Sequence, residues 1–290
     1  MLKKFSYFIF LVLFILNKTF FFIFKRNFLG WLLFFITNNS YTYFNILKKK
    51  IKFFSPNYLI EWRVRTIFDK EPETIDWINN FTINKNNKTI FWDIGANIGL
   101  YSLYAAIKFK KKIKIYAFEP STSNLRILSR NISVNNLQSN IIINPIALSN
   151  KENKFLTMNE MGFEEGMSLN TCGQSYNFEG KKMNIKNSYK TFSTNIDSLI
   201  KNKIIEIPSY IKIDVDGIEH LILQGGKQLF STKKVKSILI EINENFKDQY
   251  LNVIKFMEKN KYVLKKKINH EEFNKKNKFS KTYNYFFEKK

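Results

Sequence analysis

Three short stretches of the sequence combine acidic residues with glycines and apolar runs. The first, DIGANIG (93–99), lies between an apolar run and a stretch with helical periodicity. Glycine lets a backbone turn sharply and approach a ligand closely. A dinucleotide-binding loop would read G-x-G-x-x-G, whereas this loop reads G-x-x-x-G with Asp93 two residues before Gly95. A carboxylate there repels a pyrophosphate but accepts hydrogen bonds from the amino group of a methionine-type cofactor. The alternative is an ordinary tight turn with a helix cap.

Glu119 ends the next apolar run and lies 24 residues beyond Gly95. In nucleotide-binding α/β folds an acid at about this spacing meets the ribose hydroxyls. Two carboxylate oxygens match a cis-diol, so Glu119 strengthens the prediction of a nucleoside-containing cofactor. A solvated cap at the end of a strand is the alternative.

The third stretch is KIDVDGIE (212–219), at the end of another apolar run. Strand alternation places Lys212, Asp214 and Asp216 on one side. Closely spaced carboxylates can share a proton, bind a divalent metal or take a proton from a hydroxyl. The alternative, in which Asp216 and Glu219 cap the next helix, leaves Lys212 and Asp214 unexplained.

From about residue 89, short apolar runs alternate with helical stretches, which predicts a doubly wound α/β domain. The predicted strands cover 89–94, 112–118, 140–148, 209–215, 236–242, 262–268 and 281–288. The predicted helices cover about 98–108, 121–136, 218–230 and 246–260. The polar stretch 155–192 predicts a loop insertion with at most one edge strand.

These stretches resemble the FkbM family of methyltransferases. The matching pieces are FWDIGANIGLYSLYAA (91–106), AFEPSTSNLRIL (117–128), NPIALS (144–149), TNIDSLI (194–200), IKIDVDGIEHLILQGG (211–226) and ILIEI (238–242), and EPETIDWINNF (71–81) is like some members. The resemblance implies a class I, Rossmann-like fold, with a mostly parallel sheet between helices. It also implies S-adenosyl-L-methionine as cofactor and, for most members, O-methylation.

The resemblance also assigns roles to residues. It implies cofactor binding by Asp93, Gly95, Asn97, Gly99 and Glu119. It implies that Lys212, Asp214 and Asp216 line the reaction site, with Asp214 or Asp216 as the base. The family often has Glu where this chain has Asp216. The aspartate side chain is shorter, so the role of Asp216 is left open. A divalent metal is compatible with these acids, but the sequence does not support one.

The composition bears on partners. A net charge of +23 would attract nucleic acid, anionic lipid or a phosphorylated substrate. The abundant Lys, Asn, Ile and Phe are equally explained by A/T-rich codons. An oxidoreductase would need the three-glycine loop. We therefore predict O-methylation of a hydroxyl on a sugar, glycan or lipid-linked saccharide. The alternative is a nucleic-acid methyltransferase or a basic nucleic-acid-binding protein, although the aromatic residues lie mostly in apolar runs rather than among the basic ones.

Residues 1–60 differ from the predicted methyltransferase domain at 61–290. The first 52 residues contain no acid and nine basic side chains, which flank Phe-rich apolar runs. Three interpretations stay open: a helical extension packed on the domain, an interfacial helix on anionic lipid, or a membrane span over 5–24. The positive flank after residue 24 predicts a cytoplasmic catalytic domain in the last case. The sequence does not predict the oligomeric state.

Overall fold

The computed structural model describes residues 1–84, 88–269 and 279–290. Its α-helices are α1 (Leu2–Phe24), α2 (Leu29–Asn39), α3 (Tyr58–Arg65), α4 (Ile67–Lys70), α5 (Pro72–Asn79), α6 (Leu100–Phe109), α7 (Thr122–Val134), α8 (Ile196–Lys201), α9 (Glu219–Gln224), α10 (Lys227–Ser231) and α11 (Lys247–Lys259). Its strands are β1 (Tyr41–Ile46), β2 (Lys49–Phe54), β3 (Thr89–Ile94), β4 (Ile113–Phe118), β5 (Ile141–Asn144), β6 (Ala147–Leu148), β7 (Lys154–Glu160), β8 (Thr171–Cys172), β9 (Asn187–Thr194), β10 (Tyr210–Ile213), β11 (Ser237–Asn243), β12 (Tyr262–Ile268) and β13 (Thr282–Lys289).

The central sheet has the strand order β12-β13-β11-β10-β3-β4-β5. The strands from β11 to β5 are parallel, and β13 is antiparallel to both β11 and β12. Parallel strands are covered on both faces, which is why they read as continuous apolar runs. Alternate residues of β3 show this, because Phe91 belongs to one buried cluster and Trp92 to the other. The predicted α/β class with its mostly parallel sheet is confirmed.

The strand order reverses between β3 and β10. From β3 the chain builds β4 and β5 on one side, while β10 and β11 lie on the other. Loops that leave neighbouring strands at such a point diverge to opposite faces and open a crevice at the carboxyl ends of the strands. The loop at 93–99 and the stretch after Ile213 both begin at this crevice.

The prediction of a loop insertion at 155–192 was wrong. This region supplies β7, β8 and β9, which join β6 in a second sheet of order β6-β9-β7-β8. Its strands are rich in Lys, Asn, Ser and Thr, and Phe155 on β7 is exposed. Because one face of this sheet lies towards solvent, its strands lack the apolar run that identifies a buried strand.

Two other predicted elements are divided in the structure. The strand predicted at 140–148 is interrupted at Pro145, so that its halves belong to different sheets. The helix predicted at 218–230 is interrupted at Gly225 and Gly226 and becomes α9 and α10. A Cβ at Gly225 would lie 2.1 Å from the Ser149 carbonyl oxygen, so close packing accounts for this glycine.

The β1–β2 hairpin packs on the domain although it precedes residue 61. Asn131 of α7 is fully buried, accepts a hydrogen bond from the Phe54 amide at 2.8 Å and donates to the Ile98 carbonyl at 3.0 Å. Phe53 and Phe54 belong to the same buried cluster as Phe91. The domain boundary at residue 60 stays a prediction, and the core includes residues before it.

We expect Asn131→Ala to lower the free energy of unfolding. The substitution leaves the Phe54 amide and the Ile98 carbonyl without partners, and each unsatisfied buried group costs about 1–3 kcal/mol. Urea unfolding in mild detergent measures the change. Asn252→Ala, on the exposed side of α11, is the matched control and should change stability by less than about 0.5 kcal/mol. Equal losses in the two variants would contradict the bridging role of Asn131.

Candidate active site

The loop at 93–99 is held tightly between β4 and the end of β10. The Gly95 and Ala96 amides both donate to the Phe118 carbonyl, at 3.0 and 2.9 Å. Gly95 has φ +85°, and a Cβ there would lie 1.8 Å from the Asp214 carbonyl oxygen. Asn97 has φ +52° and Gly99 has φ +87°. The sequence therefore needs glycine at 95 for the backbone to pass β10 at this distance.

Glu119 closes this loop from the end of β4. Its carboxylate accepts hydrogen bonds from the Asn97 amide at 2.7 Å and the Ser121 amide at 2.9 Å. Only 5% of Glu119 is exposed. Burial raises the pKa of Glu119 to about 7, although both backbone amides oppose the rise. The carboxyl therefore exchanges its proton near neutral pH, next to the loop that the sequence assigns to the cofactor.

Asp93 lies beneath the loop and not in the cavity wall. It is 1% exposed and accepts a hydrogen bond from the Ser102 hydroxyl at 2.6 Å. Its other oxygen, Oδ1, has no hydrogen-bond partner among the described residues. Burial raises the pKa of Asp93, while the charge of Lys212 on the neighbouring strand lowers it. A direct contact of Asp93 with the cofactor stays a prediction.

Lys212 is a fully buried lysine in the middle of the sheet, with 1% exposure. Its ammonium binds Asp214 at 2.6 Å and lies 5.1 Å from the centre of the Tyr101 ring. Burial disfavours the charged form, but the charges of Asp214, Glu71 and Asp93 outweigh it and raise the pKa of Lys212. Lys212 therefore stays protonated and acts as a fixed positive charge under the cavity.

Asp216 does not continue the strand alternation that the sequence predicts for Lys212, Asp214 and Asp216, because β10 ends at Ile213. Asp216 has φ +59°, and its carboxylate accepts a hydrogen bond from the Leu169 amide at 2.6 Å. Burial, followed by the charge of Asp214, raises the pKa of Asp216 to about 7. Lys212, Asp214 and Asp216 all line the cavity. The structure therefore brings the three residues together, but not as alternate residues on one side of a strand.

Two acids that the sequence did not assign to the site join Asp214. Glu71, Asp214 and Glu241 each bring one carboxylate oxygen to within 4.8 Å of the others. Such a group has the geometry of a cation site, but Lys212 already binds Asp214, and Lys70 binds Glu71 at 3.0 Å. Burial opposes ionisation of Glu71, yet Lys70 and Lys212 outweigh it and lower its pKa.

Glu241 differs from the other two acids, because no lysine or arginine of the described residues forms an ion pair with it. Burial, then the charges of Asp214 and Glu71, raise the pKa of Glu241 well above its ordinary value. Asn284 of β13 lies opposite Glu241 in the strand register and is 2% exposed. The Asn284 amide nitrogen donates to Glu73 at 2.7 Å, while its amide oxygen has no partner among the described residues.

The crevice holds a cavity of about 460 Å³, a volume within the range of small-molecule sites. Its lining includes the loop residues Gly95 and Asn97 with Glu119, and also Glu71, Lys212, Asp214, Glu241 and Asn284. The position of Glu241 at the end of the strand predicted at 236–242 allows a hydrogen bond to a sugar hydroxyl or merely ends the strand. The resemblance of 71–81 to some family members was the one signal for Glu71. Nothing local identified Asn284, because β13 brings it from the far end of the chain.

The α/β fold, with its mostly parallel sheet and antiparallel β13, is that of a class I methyltransferase. The model of the methyltransferase FkbM domain matches residues 93–264, which is more than half of the chain. The chain belongs to the FkbM methyltransferase family, and its cofactor is S-adenosylmethionine. Glycine at position 95 and the diol-matching carboxyl of Glu119 are compatible with this cofactor.

Solved structures share the fold at low sequence identity. The methyltransferase FkbM from Methylobacillus flagellatus KT is 19% identical, with a TM-score of 0.45, over 69% of this chain and 43% of that chain. The precorrin-6y C5,15-methyltransferase from Geobacter metallireducens GS-15 is 12% identical, with a TM-score of 0.42, over 76% of this chain and 87% of that chain. TrmK from M. capricolum, solved with S-adenosyl-homocysteine, is 15% identical, with a TM-score of 0.40, over 74% and 67%.

The match to the Methylobacillus protein therefore spans less than half of that protein's length. No curated protein sequence matches the chain.

The pKa of Glu119 predicts how cofactor binding depends on pH. If the ionised carboxyl of Glu119 accepts hydrogen bonds from the ribose hydroxyls, Glu119 must be deprotonated for the cofactor to bind. Below about pH 7, binding then requires that Glu119 loses its proton. The affinity for S-adenosyl-homocysteine should then fall as pH decreases through 7, by up to about tenfold per pH unit, and level off above it. Calorimetry between about pH 6 and pH 8 measures this slope. Glu119→Gln should bind S-adenosyl-homocysteine more weakly, and its affinity should no longer depend on pH in this range. This variant shows whether the pH dependence comes from Glu119 or from Asp216, whose pKa is also about 7. An equal slope in both proteins would remove Glu119 from the cofactor site.

Proposed function

We propose that the protein transfers a methyl group from S-adenosylmethionine to a hydroxyl of a sugar, glycan or lipid-linked saccharide. The observation that carries this proposal is the cavity, whose lining brings Glu71, Asp214 and Glu241 together. Carboxylates are suited to accept hydrogen bonds and protons from hydroxyl groups. A nucleic-acid backbone would bring phosphates towards these acids, so this acidic lining does not favour the nucleic-acid alternative.

When bound, S-adenosylmethionine supplies an electrophilic methyl group. The chain contributes alignment, exclusion of water and a base for the hydroxyl proton. Asp214 is the proposed base, because it lines the cavity and its bond to Lys212 holds its carboxyl group there. Lys212 then balances the charge of the site before and after proton transfer. Asp216 is the second candidate, since its pKa of about 7 suits proton transfer near neutral pH.

Recognition of a polyhydroxylated acceptor is proposed for Glu241 and Asn284. Burial and the charges of Asp214 and Glu71 raise the pKa of Glu241, which favours the protonated form that can donate a hydrogen bond. The unpartnered amide oxygen of Asn284 can accept one. A saccharide hydroxyl is both donor and acceptor, so neighbouring hydroxyls satisfy both groups. A buried polar group without a partner is costly, which favours such a ligand over an apolar one.

The proposed location is the cytoplasmic face of a membrane, attached through the N-terminal helices. Among the described residues, α1 has the length and apolar composition that a membrane-crossing helix needs. Lys25 and Arg26 directly follow it, and Lys48 to Lys52 follow in the β1–β2 hairpin. Basic residues beside an apolar helix are attracted to the anionic lipids of the cytoplasmic leaflet. A lipid-linked acceptor would be accessible there.

Asp214→Asn should separate chemistry from binding. The amide keeps the shape of the side chain but cannot accept the proton, so we expect kcat to fall by about 10²–10⁴. The affinity for S-adenosyl-homocysteine should stay nearly constant, because the base acts only in the transition state. The assay is transfer of labelled methyl groups to cell-surface saccharide fractions, with thermal unfolding as a check on folding.

Asp216→Asn is the comparison variant. If Asp216 is the base, the wild-type rate rises with pH through about 7, since its ionised form is the active one, and Asp216→Asn removes both the rise and the activity. If Asp214 is the base, Asp216→Asn keeps most of the rate. Full turnover by both Asn variants would show that neither carboxylate is the base.

Glu241→Ala and Asn284→Ala should weaken acceptor binding. Loss of one hydrogen bond to a buried partner corresponds to about tenfold in the acceptor KM. Binding of S-adenosyl-homocysteine should not change. The matched control is Glu244→Ala on the same edge, because Glu244 binds Lys267 and Tyr285 rather than lining the cavity. Acceptor KM values that are unchanged in both variants would place acceptor recognition elsewhere.

A further inference from the structure

The helices α1 and α2 expose apolar side chains on nearly every side. Only 6% of the most apolar stretch of α1 is buried. Exposed large side chains include Phe8, Phe10, Phe14, Ile15, Phe21, Phe22, Trp31, Leu33, Phe34 and Phe35. Contiguous apolar surface of this extent marks a protein or membrane interface. The charges around these helices, described next, identify a lipid surface.

We infer that α1 and α2 lie in the plane of an anionic membrane surface and do not cross the bilayer. This inference rests on the membrane attachment proposed above and specifies its geometry. The exposed apolar side chains of α1 and α2 thus contact the lipid acyl chains of one leaflet, just below the headgroups.

Asn17 fixes the path of the chain between the two helices. It is the one buried residue of α1, and its side-chain oxygen accepts hydrogen bonds from the Phe28 and Leu29 amides at 3.0 and 3.1 Å. Asn17 lies seven residues before the end of α1 at Phe24, which corresponds to about 10 Å along the helix. The start of α2 therefore lies beside α1 and not beyond its end, so the connection between the helices folds back along α1.

This fold-back argues against a crossing α1. If α1 crossed a bilayer with Lys25 at one surface, α2 would begin about 10 Å inside a hydrocarbon layer that is about 30 Å thick. The other end of α2 is bound to the folded domain, because Asn38 in its last turn accepts a hydrogen bond from Arg130 of α7 at 3.2 Å. A crossing helix would draw the folded domain into the membrane.

Insertion of the hairpin by its connection is also unfavourable. Lys25 and Arg26 form that connection, and each costs about 3 kcal/mol in the hydrocarbon centre. Lys18 lies exposed in the middle of α1 and would be buried as well. In the plane of the surface, by contrast, all three side chains reach the headgroups while the rings enter the acyl boundary.

The charge of this region matches an anionic lipid. Residues 1–60 contain no acid. The β1–β2 hairpin that follows α2 contributes to a groove lined by Lys49, Lys50, Lys110 and Lys111, with no acid among its lining residues. Apolar insertion combined with basic residues supplies the two contributions that stable attachment of a peripheral protein requires.

Labelling of single thiols tests the geometry with the full-length chain. Two single variants, Lys4→Cys and Lys25→Cys, are each mixed with preformed vesicles of phosphatidylcholine and phosphatidylglycerol in equal parts. A membrane-impermeant maleimide is then added outside. Cys172 is buried, and burial raises the pKa of its thiol to about 12, so the wild type reports a low background. We expect both introduced thiols to react equally with and without detergent. Protection of either thiol until detergent is added would show that α1 crosses.

Sedimentation with vesicles tests the charge. Lys18→Gln with Lys25→Gln should weaken binding to these vesicles by about fivefold for each lysine removed. The control, Lys255→Gln with Lys259→Gln on the exposed side of α11, changes net charge equally and should leave binding unchanged. Equal binding to pure phosphatidylcholine, or none to either vesicle, would overturn the inference. Binding of S-adenosyl-homocysteine in the same samples reports separately on the methyltransferase function.

Discussion

The ammonium group of Lys212 in the middle of the parallel sheet is the constraint on which the site depends. Removing such a charge from water costs several kcal/mol even after relaxation. Its position in β10, between β3 and β11, allows no escape to solvent. Acids must therefore surround it, and Asp93, Asp214 and Glu71 do so from three different elements. The acids of the site are in this sense required by the lysine as well as by the chemistry.

This charge balance divides the acids into two kinds. Asp214 and Glu71 are each paired with a lysine, and the pKa of Glu71 is lowered. The others, Glu119, Asp216 and Glu241, have raised pKa values because burial outweighs the hydrogen bonds and charges that oppose it. One cavity thus contains acids paired with a cation and acids that bind a proton more readily. The hydroxyl acceptor proposed above would meet both kinds.

The sequence predicted the elements whose patterns are local and strong. β3 begins and ends where the apolar run at 89–94 does, because both of its faces are buried. The turn at Gly95 was predictable because a glycine directly follows the apolar run. The structure shows why glycine is needed there, since a Cβ would collide with the Asp214 carbonyl oxygen. The second sheet was missed because its polar strands share the composition of loops. Glu71 and Asn284 were missed because α5 and β13 approach the crevice only in three dimensions. The same holds for the hydrogen bond between Asn17 and the start of α2.

The apolar N-terminus is connected to the active site through the chain itself. After α2 and the β1–β2 hairpin, α3 contributes Leu59, Trp62 and Arg63 to the cavity lining. Arg130, which binds Asn38 at the end of α2, also lies over the Phe54 ring at 3.9 Å. Few residues therefore separate the exposed helices from the cavity wall, and these residues pack on the core through Asn131. A membrane surface to which α1 and α2 bind would therefore lie close to α3, which lines the cavity. Such proximity favours an acceptor that is itself carried by a lipid, because attachment to the same surface raises its effective concentration at the site.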